Sequence, residues 1–336
     1  MTNDGRLPDE SHAPPRFHAP RPRRGRVAPV ARRCEGPDRL AVQDAAHVVP
    51  SAAGTAPDNL ARIYAEHLKT ALKQTVIVDN KPGANQTIGI ASVTSSPADG
   101  YTLLQASTEL VRVPLLYPSV KYDPFEIFTP VSQMASSSSL LCVNTSLGLN
   151  TMQEFIEYAR KSPVPISYGT PGNGSATHVY MELLAQHAGI KVLHIPYRGE
   201  VALAPDLASG RLTAGWLTGG LVRQFQKEVR PLMAVSVRKR LTNFPDVPTG
   251  YELKFPNLDI EGFVGFFLLK GAPSPIVDRL SAEIDRITAR PDVREQILSY
   301  ALEVPAVTTR AQFAAVMRAS AEEWAKAIRQ SGVKVE

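Results

Sequence analysis

From about residue 45 onward the chain alternates two hydrophobic patterns. Val48-Val49, Thr75-Val76-Ile77-Val78, Tyr101-Thr102-Leu103-Leu104 and Pro165-Ile166-Ser167-Tyr168 are short apolar runs that read as strands. Stripes at helical spacing stand between and after them: Leu60, Ile63, Tyr64, His67 and Leu68, a small-residue segment near Ile90 to Thr94, and Val179, Leu183, Leu184 and Ala188. Val131 to Val143 and Leu232-Met233-Ala234-Val235-Ser236 are further candidate strands. The C-terminal part predicts three helices. Pro275-Ile276-Val277, Leu280, Ile284 and Ile287 form the first stripe, Pro291 stands near N1 of the second, and Ala311 to Ile328 make the third. The alternation is compatible with an α/β fold.

The breaks between these elements carry the candidate chemistry. Gly169-Thr170-Pro171-Gly172-Asn173-Gly174-Ser175-Ala176-Thr177-His178 lies between a strand pattern and a helix pattern. Its backbone N–H groups and hydroxyls suit an anionic oxygen, because the first turn of a helix has unpaired donors and a positive dipole end. The plainer alternative is an ordinary loop with Ser175 or Thr177 as N-cap. Similar loops recur at Pro50 to Asp58, Lys81 to Gly89 and Gln105 to Thr108. Each follows an apolar strand, where open α/β sheets place their ligand crevice.

Composition sharpens this picture at the N-terminus. Residues 1–45 hold nine arginines, no lysine, seven prolines and one aromatic, Phe17, without periodicity, and are expected to be disordered. They carry six acidic residues, so their net charge of +3 is over half of the chain's +5. The remainder is near neutral, so the chain's basic pI says little about the folded part. A basic tail at Pro20 to Arg26 is the one nucleic-acid reading, and no nucleic-acid partner is expected. Cys34 and Cys142 suggest no disulfide framework, and Cys142 sits in an apolar strand as an inert thiol. The seven histidines form no metal-ligand cluster, no phosphate-binding P-loop is visible, and no cofactor is expected.

The chain from about Val48 resembles the Bug family, the extracytoplasmic solute receptors of tripartite tricarboxylate transporters. The resemblance rests on Val49-Pro50 through Asp58 to Ala61-Arg62, Asn80 to Gly89, Pro97 to Leu104, Leu116-Tyr117-Pro118 and Tyr122-Asp123-Pro124. It continues through Gly172 to His178, His194 to Gly199, Phe244 to Thr249 and Gly271-Ala272-Pro273. It implies the two-lobed α/β fold of type 2 periplasmic binding proteins, with 46–135 plus 233–336 as lobe one and 136–232 as lobe two. It further implies a monomeric, non-enzymatic periplasmic receptor that closes on a small carboxylate and delivers it to membrane permease subunits. A sensor protein reading the liganded form is the alternative partner.

Candidate ligand-binding residues follow from the loops and the resemblance together. They are Ala53, Gly54, Thr55, Asp58, Asn85, Gln86 and Ser107 in lobe one. In lobe two they are Thr170, Asn173, Ser175, Thr177, His178, Tyr197 and Thr218. Asp58 also reads as a helix cap or a tie to a neighbouring loop, His178 as an orienting group, and Arg198 as facing solvent or substrate. Asn85 and Gln86 stand where the family has a glycine pair. Leu217-Thr218 replace an Asp-Asn pair, and Trp216 beside them reads either as a core residue of lobe two or as a wall for an aromatic or bulky apolar carboxylate. A Ser175–His178 hydrolase is the enzymatic alternative, but their i to i+3 spacing and the lack of a Gly-x-Ser-x-Gly elbow count against it.

No apolar segment of a secretory signal is visible, and family-like sequence begins abruptly near His47, as if the upstream frame or start were misplaced. The strand before Pro50 is expected to be largely missing, since Asp44 and Gln43 stand where an apolar run belongs.

Overall fold

The structure, a computed structural model, describes residues 44–305 and 309–335. The Arg/Pro-rich stretch with Cys34 lies outside them, so its expected disorder is not addressed. The described residues all fall within one compact unit.

Among the described residues, ten strands form two five-stranded sheets. Strands β1 (Ala45–Val49), β2 (Val76–Asn80), β3 (Thr102–Ser107) and β4 (Phe128–Ser137) belong to the first. Strands β5 (Ser139–Asn144), β6 (Ile166–Thr170), β7 (Val192–Pro196), β8 (Ala214–Leu217) and β9 (Val229–Val235) make the second. The chain then returns to the first sheet as β10 (Gly262–Leu269). The orders are β2-β1-β3-β10-β4 and β7-β6-β8-β5-β9. Both follow one plan: three parallel strands, then an antiparallel strand that has just entered from the other lobe. This is the expected two-lobed α/β architecture.

Helices cover the sheets: α1 (Ala56–Leu72), α2 (Thr87–Thr94), α3 (Glu109–Leu116), α4 (Pro124–Ile127), α5 (Met152–Lys161) and α6 (Ala176–Ala188). After them come α7 (Glu200–Ala208), α8 (Gly219–Gln224), α9 (Ser274–Ala289), α10 (Pro291–Ser299) and α11 (Arg310–Ser331). Because side chains alternate along a strand, a sheet covered on both faces needs apolar residues at every position. In β5, Leu141 and Val143 enter one core while Leu140 and Cys142 enter another. In β10, Phe263 and Phe267 pack on one face, and Val264, Phe266 and Leu268 on the other. Helix α7 lies so close to the second sheet that a Cβ on Gly169 would come within 1.8 Å of Leu203 Cδ1. Only glycine fits at that point of β6.

The strand before Pro50 exists. Residues Ala45–Val49 pair with β2, and Ala46–Val48 also pair with β3. Parallel pairing on both sides uses backbone groups, so two alanines and a fully buried histidine suffice where a longer apolar run was expected.

The stretch 233–336 is not confined to the first sheet. Strand β9 runs through residue 235 in the second sheet, and Leu258 and Ile260 pack in the second core. Helix α11 spans both lobes: Phe313 and Met317 pack with Phe263 and Phe267, whereas Trp324 and Ala327 join the core around Trp216. A helix of 22 residues is about 33 Å long, long enough to serve two cores. No helix among the described residues is long and apolar enough to cross a membrane.

Candidate functional site

In lobe one the parallel strands end in three loops. After β1, the exposed Gly54 turns with φ +81° and donates its N–H to Asp58 Oδ2 at 2.8 Å. Asp58, buried at the start of α1, also accepts from Arg62 Nε at 3.1 Å and from Asn80 Nδ2, at the end of β2, at 2.9 Å. Burial pushes the Asp58 carboxyl up, but these hydrogen bonds outweigh it and hold the pKa below the usual carboxylate range. Asp58 therefore ties the β1 and β2 loops together. Ala53 is exposed, and the Thr55 hydroxyl donates back to Ala52 O at 2.7 Å.

After β2, three successive residues adopt left-handed backbone: Ala84, Asn85 and Gln86 have φ of 44°, 50° and 72°. Such conformations suit glycine and cost other residues energy, which explains why the resemblance expects glycines there. Side-chain bonds replace that freedom here. Gln86 Nε2 donates to Ser107 Oγ at 2.9 Å, Ser107 N–H donates back to Gln86 Oε1 at 3.4 Å, and Asn85 Nδ2 donates to the Tyr117 hydroxyl at 2.7 Å.

In lobe two, β6 ends at the buried Thr170, and Ser175 caps α6 by accepting from His178 N–H at 3.3 Å. Gly174 N–H donates to His178 Nδ1 at 3.1 Å. An N–H can only donate, so Nδ1 holds a lone pair and the neutral ring carries its proton on Nε2. The Thr170 hydroxyl donates to Gly172 O at 3.0 Å and therefore accepts from His194 Nε2 at 2.6 Å. The two imidazoles stack with centroids 3.8 Å apart. Burial, then the Arg112 charge, lowers His178 to about 4; burial, then His178 itself, lowers His194 to about 4. Both rings are thus uncharged near neutrality.

These bonds decide which backbone donors a ligand can use. The N–H groups of Gly174 and His178 are engaged as above, and Ser175 N–H donates to Gly172 O at 3.2 Å. Ala176 and Thr177 supply the first N–H groups of α6, which have no acceptor within the helix. The Ser175 hydroxyl contacts Thr177 Oγ1 at 3.2 Å while His178 Nδ1 serves Gly174, so the bonds expected of a Ser175–His178 catalytic pair run elsewhere.

The two lobes meet at this loop. The Tyr117 hydroxyl donates to Asn173 O at 3.0 Å, Asn85 Nδ2 reaches the same carbonyl at 3.5 Å, and Arg112 donates to Gly174 O. Asn85 thus reaches the segment from Asn173 to His178, while Gln86 and Ser107 bond to each other within lobe one. The other expected residues are held by bonds within their own lobes. The Tyr197 hydroxyl donates to Asp206 Oδ2 at 2.8 Å; burial and then Asp206 push this phenol up to about 12. Thr218 N–H donates to Glu200 Oε2 at 2.8 Å, and burial pushes Glu200 up despite that bond. Arg198 is exposed.

Trp216 takes the core reading and not the ligand-wall one. It is 1% exposed in the core of lobe two, beside Tyr180, and Leu217 is fully buried on the opposite face of β8. Trp216 offers no surface to a ligand, so the argument for an aromatic carboxylate loses its basis.

Sequence reasoning missed Glu109, Arg112, Tyr117 and His194 as parts of the site. A signal was present for the first two: a charged i, i+3 pair inside the otherwise apolar Glu109-Leu110-Val111-Arg112-Val113-Pro114-Leu115-Leu116. No group of three or more potential metal ligands occurs among the described residues.

Known proteins share this two-lobed fold. The family model TctC, the tripartite tricarboxylate transporter family receptor, matches residues 60–333. The UPF0065 protein in the tcbD-tcbE intergenic region of Pseudomonas sp. (strain P51) is 33% identical over 284 residues, covering 84% of each chain. Protein BugT of Bordetella pertussis is 28% identical over 291 residues, 86% of this chain and 89% of its own. Among solved structures, the periplasmic binding protein BugD superposes with a TM-score of 0.75 at 28% identity, covering 87% of this chain and 99% of that one. The R. palustris protein Rpa4515, solved with adipate, gives 0.79 at 26% identity, with 88% and 99% covered. The chain belongs to the tripartite tricarboxylate transporter receptor family, whose members are periplasmic solute-binding proteins.

Proposed function

We propose that this receptor captures a small carboxylate between its lobes and delivers it to the membrane permease of a tripartite tricarboxylate transporter from the periplasm. The observation that carries this reading is the meeting of Asn85 and Tyr117 from lobe one with the Asn173 carbonyl of lobe two, just ahead of the N-terminal end of α6. Neutral donors surround that point: Ser175, Thr177, the free first-turn N–H groups of α6, and the Nε2–H of His178. Donors of this kind stabilise an anionic oxygen in a cleft of low dielectric without a formal counter-charge on the loop. The adipate held by the R. palustris relative is a ligand of this class.

Differential scanning fluorimetry of the purified protein against mono-, di- and tricarboxylates, amino acids and sugars tests the proposal. Ligand at 100 times its Kd stabilises the folded state by about 2.7 kcal/mol. A selective rise in Tm with one class of carboxylates is the expected result. A folded sample that responds only to sugars, or to nothing in the panel, would overturn it.

A further inference from the structure

Arg112 is the charged side chain that the neutral-donor description leaves out. It sits in α3 of lobe one, is fully buried, and donates through its two terminal nitrogens to Glu109 of its own helix and to Gly174 O of the opposite lobe. Its guanidinium lies 5.4 Å from the ring centre of Trp324, in the helix that spans both lobes. Its Nε is buried without a hydrogen-bond partner. A buried guanidinium is costly unless its partners hold it, and one of the two holding this one belongs to the other lobe. Separation of the lobes would remove that partner and open the group to water.

The loop that it grips is held by its own lobe through two N–H groups, Gly174 to His178 Nδ1 and Ser175 to Gly172 O, whereas the Gly174 carbonyl is held from the other lobe. Gly174 has φ +64°, and a Cβ there would come within 2.7 Å of Val335 Cγ1 and 3.0 Å of the Tyr117 hydroxyl. Glycine is thus required by conformation and by space. The Gly174 carbonyl shares its plane with the N–H of Ser175, the residue that caps α6. Arg112, which holds that carbonyl, and Gly172 O, which accepts from that N–H, together set the peptide leading into the helix end where the carboxylate is placed above.

We propose that Arg112 is a positioning residue for ligand capture. From lobe one it fixes the Gly174–Ser175 peptide of lobe two, so the binding loop takes its final geometry only as the lobes come together. Glu109 and Trp324 keep the guanidinium aimed. The coupling is reciprocal: closure orders the loop, and a ligand seated on the ordered loop favours closure. The inference deepens the carboxylate-receptor reading and rests on it for the identity of the loop's ligand.

The deciding measurement is made first on the ligand-free full chain by small-angle scattering, comparing wild type with Arg112→Met and Arg112→Lys. The Met variant is expected to show a larger radius of gyration and the Lys variant an intermediate one, since an ammonium lacks the planar fork that serves two acceptors at once. With adipate as the probe, stopped-flow dissociation from the Met variant is expected to be about tenfold faster, as for loss of one charge-assisted hydrogen bond. Association should change by less than about threefold, because the loss of a contact that holds the bound state is felt chiefly in dissociation. A merely structural role would lower Tm without separating these two rates. A folded Met variant with the wild-type radius would overturn the proposal. If that variant does not fold, a wild-type radius in the Lys variant would do the same. The scattering arm needs no ligand, so failure to bind adipate would count against the functional reading and not against this one.

Discussion

The imidazole of His178 lies against that of His194, the ring planes only 19° apart, directly beneath the loop that joins the two lobes. Each ring is placed by a different partner, Gly174 N–H for the first and the Thr170 hydroxyl for the second. The stack therefore works as a wedge that sets the floor of the loop, and it does so only while both rings are neutral.

Acid should loosen the fold well before carboxylates protonate. His47, His178 and His194 each have a folded pKa lowered to about 4 from an ordinary value of 6.5, burial being the main cause. Between those values the unfolded chain binds up to three protons that the folded chain refuses, so stability is complete above about pH 6.5 and declines as the pH falls toward 4. Thermal melts from pH 7.5 to 4.5 should show Tm falling below pH 6.5, with a shallower fall in His194→Phe. A Tm flat across that range would contradict the account.

Cutting the bridge across the cleft should weaken binding more than stability. Tyr117→Phe removes the donor to Asn173 O and the acceptor for Asn85. A lost hydrogen bond of this kind costs about 0.5–1.5 kcal/mol, or about 2–13-fold in Kd. Titration calorimetry with the carboxylate that most raises Tm checks this, with Tyr122→Phe as a control whose hydroxyl serves Leu110 O within lobe one.

Asp58 should prove to be a structural tie. Replacing it with alanine strips the acceptor from Gly54 N–H, Arg62 and Asn80 at once, and should cost about 1.5–3 kcal/mol in urea unfolding. Were Asp58 a ligand contact instead, Asp58→Asn would alter selectivity among acids while leaving the unfolding midpoint in place.

The close approach of α7 to β6 makes a paired test. Gly169→Ala forces a methyl group against Leu203 and should destabilise the protein by about 1–3 kcal/mol. Leu203→Ala destabilises on its own by leaving a cavity, but the double variant should lose less than the sum of the two. Strict additivity in denaturant titrations would show that the two residues do not meet.

What the sequence determined by itself was local. Strand and helix periodicities placed β2, β3 and β6 and the three C-terminal helices, because side-chain alternation and helical stripes depend only on near neighbours. Most of β1, held by backbone pairing on both sides, was expected to be missing. The turn chemistry of Gly172 to His178 likewise pointed to the capped start of α6, where Ser175 is found. Only the tertiary structure decided which of those groups meet. Asn85 and Asn173 lie 88 positions apart, and Arg112 and Gly174 lie 62 apart. No periodicity carries information across such distances. The same holds for Trp216, whose bulk suggested a ligand wall until the packing of Tyr180 and Trp324 around it put it in a core. A residue's type states what it can bond to; two sheets, a shared helix and a common cleft determine what it reaches.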